Sequence, residues 1–191
     1  MSRLYFFYST MYGLKSAFLI DFFNNCKSNG YSIFILTHRL DNRYGSNISA
    51  SRLGQKEYAI LLDDSVNIFL FFLKIYKKYL SIVYILIDEV QFLTKKHIKQ
   101  LIKIITLFPI FVFCFGLRSD FLKEPFKGSS YLLTTTDFLE RIASYCFCGK
   151  YAVFNLRFDK KKHTIKKYGK KILIGGSELY TQVCRQHSVL V

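Results

Sequence analysis

The segment Ser9-Thr10-Met11-Tyr12-Gly13-Leu14-Lys15-Ser16 sets a lysine and a hydroxyl where a short apolar run gives way to a helical pattern. Such a loop can turn its backbone N–H groups inward around phosphate oxygens. Its lysine can reach the β and γ oxygens of a nucleotide, and its serine can face Mg²⁺. The helix that follows contributes a favourable dipole at its N-terminus. The glycine pattern is incomplete, because Leu14 stands immediately before Lys15. Taken alone, the segment is a weak signal.

Two further groups strengthen it. Ile85-Leu-Ile-Asp88-Glu89-Val90-Gln91 runs from apolar residues into paired acids. An Asp at the carboxyl end of a buried strand can support Mg²⁺, and the next acid can accept a proton or place a nucleophile. Cys146-Phe-Cys148 and Cys184-Arg-Gln-His187 form two ligand pairs separated by a long segment. Three thiolates and an imidazole suit a closed, tetrahedral, structural zinc site. The remaining cysteines, Cys26 and Cys114, sit inside apolar periodic segments and read as buried thiols.

The elements that must position these groups alternate. Arg3–Tyr8, Tyr31–Thr37, Tyr58–Leu62, Ile82–Asp88 and Pro109–Gly116 read as strands. Lys15–Ser28 has helical spacing and stops at Gly30, Val66–Leu80 reads as a helix, and Thr94 can cap another through Ile105. Asp137–Ser144 reads as helical, and the polar stretch Leu40–Gly54 as a functional loop. Strands apolar on both faces, alternating with helices, predict an α/β fold whose parallel sheet is covered by helices on both sides. The texture changes to Cys, Lys and Gly after Ser144, which predicts a nucleotide-binding unit over 1–144 and a small metal-binding unit over 145–191.

With 51% apolar and 21% charged residues, the chain is too apolar to be disordered. Its longest apolar runs are too short to span a bilayer, and no cleavage site follows the apolar N-terminus. We therefore expect no membrane segment and no signal peptide. The net charge of +15 admits a polyanionic partner. However, seven lysines fall in Lys160–Lys171, which reads as a solvated, mobile loop.

Together these residues resemble the type II thymidine kinases, in particular the bacterial branch. Besides the segments above, the resemblance is carried by Asp41-Asn42-Arg43-Tyr-Gly45, Ser51-Arg-Leu-Gly54, Gly116-Leu-Arg-Ser-Asp-Phe121 with Glu124-Pro-Phe126, and Ile174-Gly-Gly-Ser-Glu-Leu-Tyr180. It spans nearly the whole chain and rests on the combination, not on any one segment. It implies a phosphate-loop NTPase-like sheet with a zinc-binding lasso, and transfer of the γ-phosphate of ATP to the 5′-hydroxyl of thymidine or deoxyuridine.

The resemblance also assigns roles. Ser9–Ser16 would cradle ATP, with Asp41, Asn42, Arg43, Val90 and Gln91 around ATP and its Mg²⁺. Asp88 would support Mg²⁺, and Glu89 would accept the 5′-hydroxyl proton. Phe121 would stack on the base. Lys171, Ile172, Leu173, Ile174, Gly175 and Tyr180 would enclose the nucleoside. Cys146, Cys148, Cys184 and His187 would bind zinc. A cytoplasmic homotetramer, with no specific nucleic-acid partner, is implied as well.

The chain departs from the family pattern at Leu14, where the family has glycine, and at Leu122, where it has arginine. Two alternatives follow. One is a degenerate member that binds nucleoside or nucleotide with little or no turnover. The other is a basic, zinc-containing protein that binds nucleic acid.

Overall fold

The computed structural model describes residues 2–40, 47–51, 53–78, 82–159, 164–165, 168–170, 172–173 and 179–190. In chain order the strands are β1 (Arg3–Ser9), β2 (Ser32–His38), β3 (Ile48–Ala50), β4 (Lys56–Tyr58), β5 (Ile60–Leu62), β6 (Ile82–Ile87), β7 (Phe111–Leu117), β8 (Phe138–Arg141), β9 (Phe154–Asp159), β10 (Thr164–Ile165) and β11 (Tyr180–Val183). The helices are α1 (Lys15–Ser28), α2 (Ile68–Lys78), α3 (Lys95–Leu107) and α4 (Lys127–Thr135).

Six strands form one sheet in the order β5-β2-β6-β7-β1-β8, every neighbouring pair parallel. Alternation along each strand sends side chains to opposite faces. Leu4 and Phe6 of β1 join Ile85, Ile87 and Val112 in a core closed by α2, α3 and α4. Tyr5 and Phe7 join Leu86, Phe113 and Phe115 under Leu19 and Ile20 of α1. Both faces are therefore dry, which is why the central strands read as continuous apolar runs. Phe6 is fully buried, and truncating it to alanine would cost about 3–5 kcal/mol.

The helix boundaries have local causes. α1 begins at Lys15 and closes at Asn29 and Gly30, whose N–H groups reach carbonyls of the last turn. Thr94 caps α3: its hydroxyl accepts the His97 N–H at 3.3 Å, and the His97 ring accepts the Thr94 N–H at 3.4 Å.

Several expectations are corrected. Asp137–Ser144 is not a helix: β8 lies here and pairs with β1, anchored where the Asp137 carboxylate accepts the Leu4 N–H at 2.7 Å. The helix lies just before it, as α4. Part of the polar stretch 40–54 forms β3, which pairs with β4 as a hairpin, so Tyr58 belongs to that hairpin and β5 starts only at Ile60. A separate three-stranded sheet, β10-β9-β11, follows Tyr145. Within the lysine-rich run, Thr164–Ile165 pair with β9, whereas the other run residues up to Lys167, and Lys171, lie outside the described residues.

Candidate active site and metal site

The phosphate-loop segment connects the carboxyl end of β1 to α1, at the rim where the parallel strands end. Gly13 sits over Ser9: a Cβ at Gly13 would fall 1.7 Å from the Ser9 hydroxyl. No larger residue fits there without moving the loop. Leu14, the next residue, has φ 52° and ψ 24°, the left-handed conformation, and is 55% exposed. The backbone thus takes at Leu14 the shape that glycine adopts without strain. Lys15 is buried, and its ammonium donates to the Thr10 carbonyl at 2.7 Å. Ser16 opens the first turn of α1.

Side chains hold this loop from behind. The Ser9 hydroxyl donates to the Ile142 carbonyl at 2.7 Å, and the Thr10 and Ser144 hydroxyls share a hydrogen bond of 2.6 Å. Tyr12 donates to the Tyr180 carbonyl at 3.3 Å.

The acidic pair stands at the end of β6, two strands away. Asp88 is buried and accepts the Ser49 hydroxyl at 2.8 Å and the Glu89 N–H at 2.9 Å. Glu89 is also left-handed, with φ 52°, a conformation that a non-glycine residue holds at some cost in strain. The Gln91 amide donates to the Glu89 carboxylate, and the Gln91 carbonyl oxygen accepts the Leu117 N–H at 2.9 Å. Val90 turns the other way and packs in the main core.

Lys15, Glu89, Gln91, Phe121 and Tyr180 converge on one cleft, which Met11, Ile172 and Leu173 also line. Phe121 is buried, and the Arg157 guanidinium lies 3.7 Å from its ring centroid. Tyr180 donates to the Leu173 carbonyl at 2.8 Å. The expected site residues Asp41, Asn42, Arg43, Lys171, Ile174 and Gly175 lie outside the described residues.

Sequence reasoning missed Ser49, Asn155 and Arg157. Ser49 gave no signal, being one serine in a polar stretch. The other two sit where the pattern suggests solvent: Phe154-Asn-Leu-Arg-Phe158 alternates apolar and polar residues, yet Asn155 and Arg157 are both buried. Buried polar side chains on a strand face require partners, and here those are Met11 and the carbonyls of Tyr168 and Lys170.

The second site is the Cys/His cluster. The ligand atoms of Cys146, Cys148, Cys184 and His187 all lie within 4.8 Å of one another. The His187 Nδ1 is 3.3 Å from the Cys146 sulfur and 3.4 Å from that of Cys184. Burial pushes the Cys146 thiol up, but the backbone N–H groups of Cys148 and Cys184 and the His187 ring bring it down, to about 6. This donor set fits a closed tetrahedral metal ion. It brings the segment entering β9 beside the segment leaving β11. Among the described residues, no helix is long and apolar enough to cross a membrane.

Against known proteins, the sequence profile described as thymidine kinase matches residues 2–188. A thymidine kinase of Mannheimia succiniciproducens is 40% identical over 190 residues, covering 98% of this chain and 95% of the relative. Those of Haemophilus influenzae strain 86-028NP and Yersinia pestis are 38% and 36% identical over 187 residues, each covering 98% of this chain and 96% and 94% of the relative.

Proposed function

The chain belongs to the thymidine kinase family, and from that premise we propose that it transfers the terminal phosphoryl group of ATP to the 5′-hydroxyl of thymidine, and of deoxyuridine. The observation that carries this reading is the single cleft bringing together Lys15, Glu89 and Phe121. Lysine, carboxylate and aromatic ring are the three groups needed to hold phosphate, accept a proton and stack a base.

In this reading ATP lays its phosphates along Met11–Ser16, and Lys15 keeps the Thr10 carbonyl while its ammonium donates also to the β and γ oxygens. Ser16 and Asp88 would hold Mg²⁺, which neutralises charge on the transferring group. Asp41, Asn42 and Arg43 would complete that side. The base stacks on Phe121, whose ring is backed by Arg157, and Tyr180 with residues 171–175 encloses the sugar and base. The 5′-oxygen forms its bond to the γ-phosphorus as the bond to the bridging oxygen breaks. The hydroxyl proton passes to Glu89, and ADP leaves with the electron pair.

The test is nucleoside-dependent ADP formation with thymidine, deoxyuridine and deoxycytidine. Turnover with the first two and not the third is expected. Absence of turnover with thymidine would remove the reading. The left-handed Leu14 favours a second reading, a slow member of the family. Under it, Leu14→Gly raises turnover severalfold above that of the native chain, whereas equal rates discard it.

The Cys/His cluster is proposed to hold one structural Zn²⁺, since thiolates with imidazole prefer zinc and four protein ligands leave no place for water. Residues 145–191 then form a lasso unit stapled by that ion. A homotetramer is proposed on the family resemblance, with light scattering as the check. A cytoplasmic location is likewise an inference from the family.

A further inference from the structure

Asn155 stands on β9, the middle strand of the small sheet, and is only 5% exposed. Its side-chain oxygen accepts the N–H of Met11 at 2.9 Å. That N–H and the Thr10 carbonyl belong to one planar trans peptide and point in opposite directions. On the opposite side of this peptide, the Thr10 carbonyl accepts the Lys15 ammonium at 2.7 Å and the Gly13 N–H at 3.2 Å. One buried amide from the C-terminal unit therefore fixes the rotation of the peptide on which the loop lysine rests.

The other bonds behind the loop act differently. Those to Ile142 and Ser144 engage hydroxyl side chains, and the one to Tyr180 engages a phenol. They hold side chains and not a peptide plane. The bond from Asn155, by contrast, grips the main chain of the loop at Met11. Asn155 is also well anchored. Phe154–Arg157 of β9 pair with β11, and the Cys/His cluster brings together the segments flanking the two strands.

We propose that Asn155 is a positioning residue for Lys15, and that through it the Cys/His-bearing unit sets the phosphate loop in a nucleotide-ready shape. Its consequence for ATP rests on the kinase reading; the positioning itself does not. The oxygen of Asn155 supplies the grip, so a side chain of similar size lacking an acceptor should release the loop, and one keeping an acceptor should hold it.

The test compares Asn155→Leu and Asn155→Asp with the native protein by amide hydrogen exchange and by equilibrium binding of ATP with Mg²⁺, without nucleoside. In Asn155→Leu, exchange of the Met11 amide should speed by about tenfold, as for one lost buried hydrogen bond, and ATP affinity should fall by a similar factor. Amides of β9 and β11 and the metal content should not change. Asn155→Asp should retain Met11 protection. Unchanged Met11 exchange in Asn155→Leu would overturn the proposal, as would equal loss of protection throughout β9 and β11, or a loss of thymidine affinity alone. A native protein that fails to consume ATP with thymidine would instead remove the kinase reading, leaving the exchange result to decide the positioning role.

Discussion

The side-chain amide of Gln91 donates to the Glu89 carboxylate, and its carbonyl oxygen is held by the Leu117 N–H at 2.9 Å. Gln91 therefore has one permitted amide orientation, and it aims Glu89 from the end of β6 into the cleft beside Phe121 and Lys15. A group fixed in this way can accept a proton without first paying for its own ordering.

Glu89→Gln keeps the shape of the side chain and removes its basicity. Phosphorylation of thymidine should fall by about 10²–10⁴-fold. Affinities for ATP and thymidine should change little. Steady-state kinetics with separate binding measurements check this, and unchanged turnover excludes Glu89 as the base.

Leu14 occupies a conformation that costs an L-residue about 1–2 kcal/mol. Replacement by glycine removes that strain but adds disorder to the unfolded chain, so Leu14→Gly should stay within about 1 kcal/mol of native stability. Leu14→Val puts a β-branched side chain at positive φ and should cost about 1–2 kcal/mol more than leucine does. Urea unfolding of the three proteins gives the order directly.

Metal analysis should return about one zinc per chain, and Cys184→Ser should lose it. The thermal midpoint should then fall by at least about 10 °C, because metal binding of this type contributes directly to folding free energy. A variant that keeps the native midpoint would show that the four ligands stabilise nothing.

His97 is completely buried. Burial pushes its pKa below the ordinary value of 6.5, against the opposing pull of the Val66 carbonyl and Asp64. Its neutral ring accepts the Thr94 N–H through Nδ1 and meets the Val66 carbonyl through Nε2 at 3.2 Å. The unfolded chain binds the extra proton more readily than the folded one. This contribution is therefore intact above about pH 6.5 and is lost as pH falls below it. His97→Gln keeps the capping pattern and does not titrate. Its urea midpoint should lose less than the native one between pH 7.5 and 5.5.

The central sheet was legible because its strands are apolar on both faces, and α1 because of its helical apolar spacing and the Gly30 stop. The end of the sheet was not. β8 has four residues, all exposed, and it becomes a strand only by pairing with β1, a partner that local pattern cannot display. α4 begins Lys-Gly-Ser-Ser and ends in threonines, a poor helix by propensity. Tertiary fit supports it: a Cβ at Gly128 would lie 2.6 Å and 2.8 Å from the Leu93 and Val90 carbonyls, and the Ser129 hydroxyl donates to the Leu117 carbonyl. The convergence of Cys146, Cys148, Cys184 and His187 was legible from their chemistry alone. Asn155 was not, because its partner is a backbone N–H 144 residues away.

The placement of β1 also bears on the birth of the chain. This first strand, rich in aromatic side chains, is flanked by β7 and β8, and its bond to Asp137 joins residues 133 positions apart. During synthesis, Arg3–Ser9 emerges before β7 and β8 and has no lateral partner until they too have left the ribosome. The sheet cannot close around β1 in the order of synthesis, and loop closure over such separations makes for slow folding. Until then the nascent chain carries an unpaired apolar strand, which is a substrate for chaperones and a risk for aggregation.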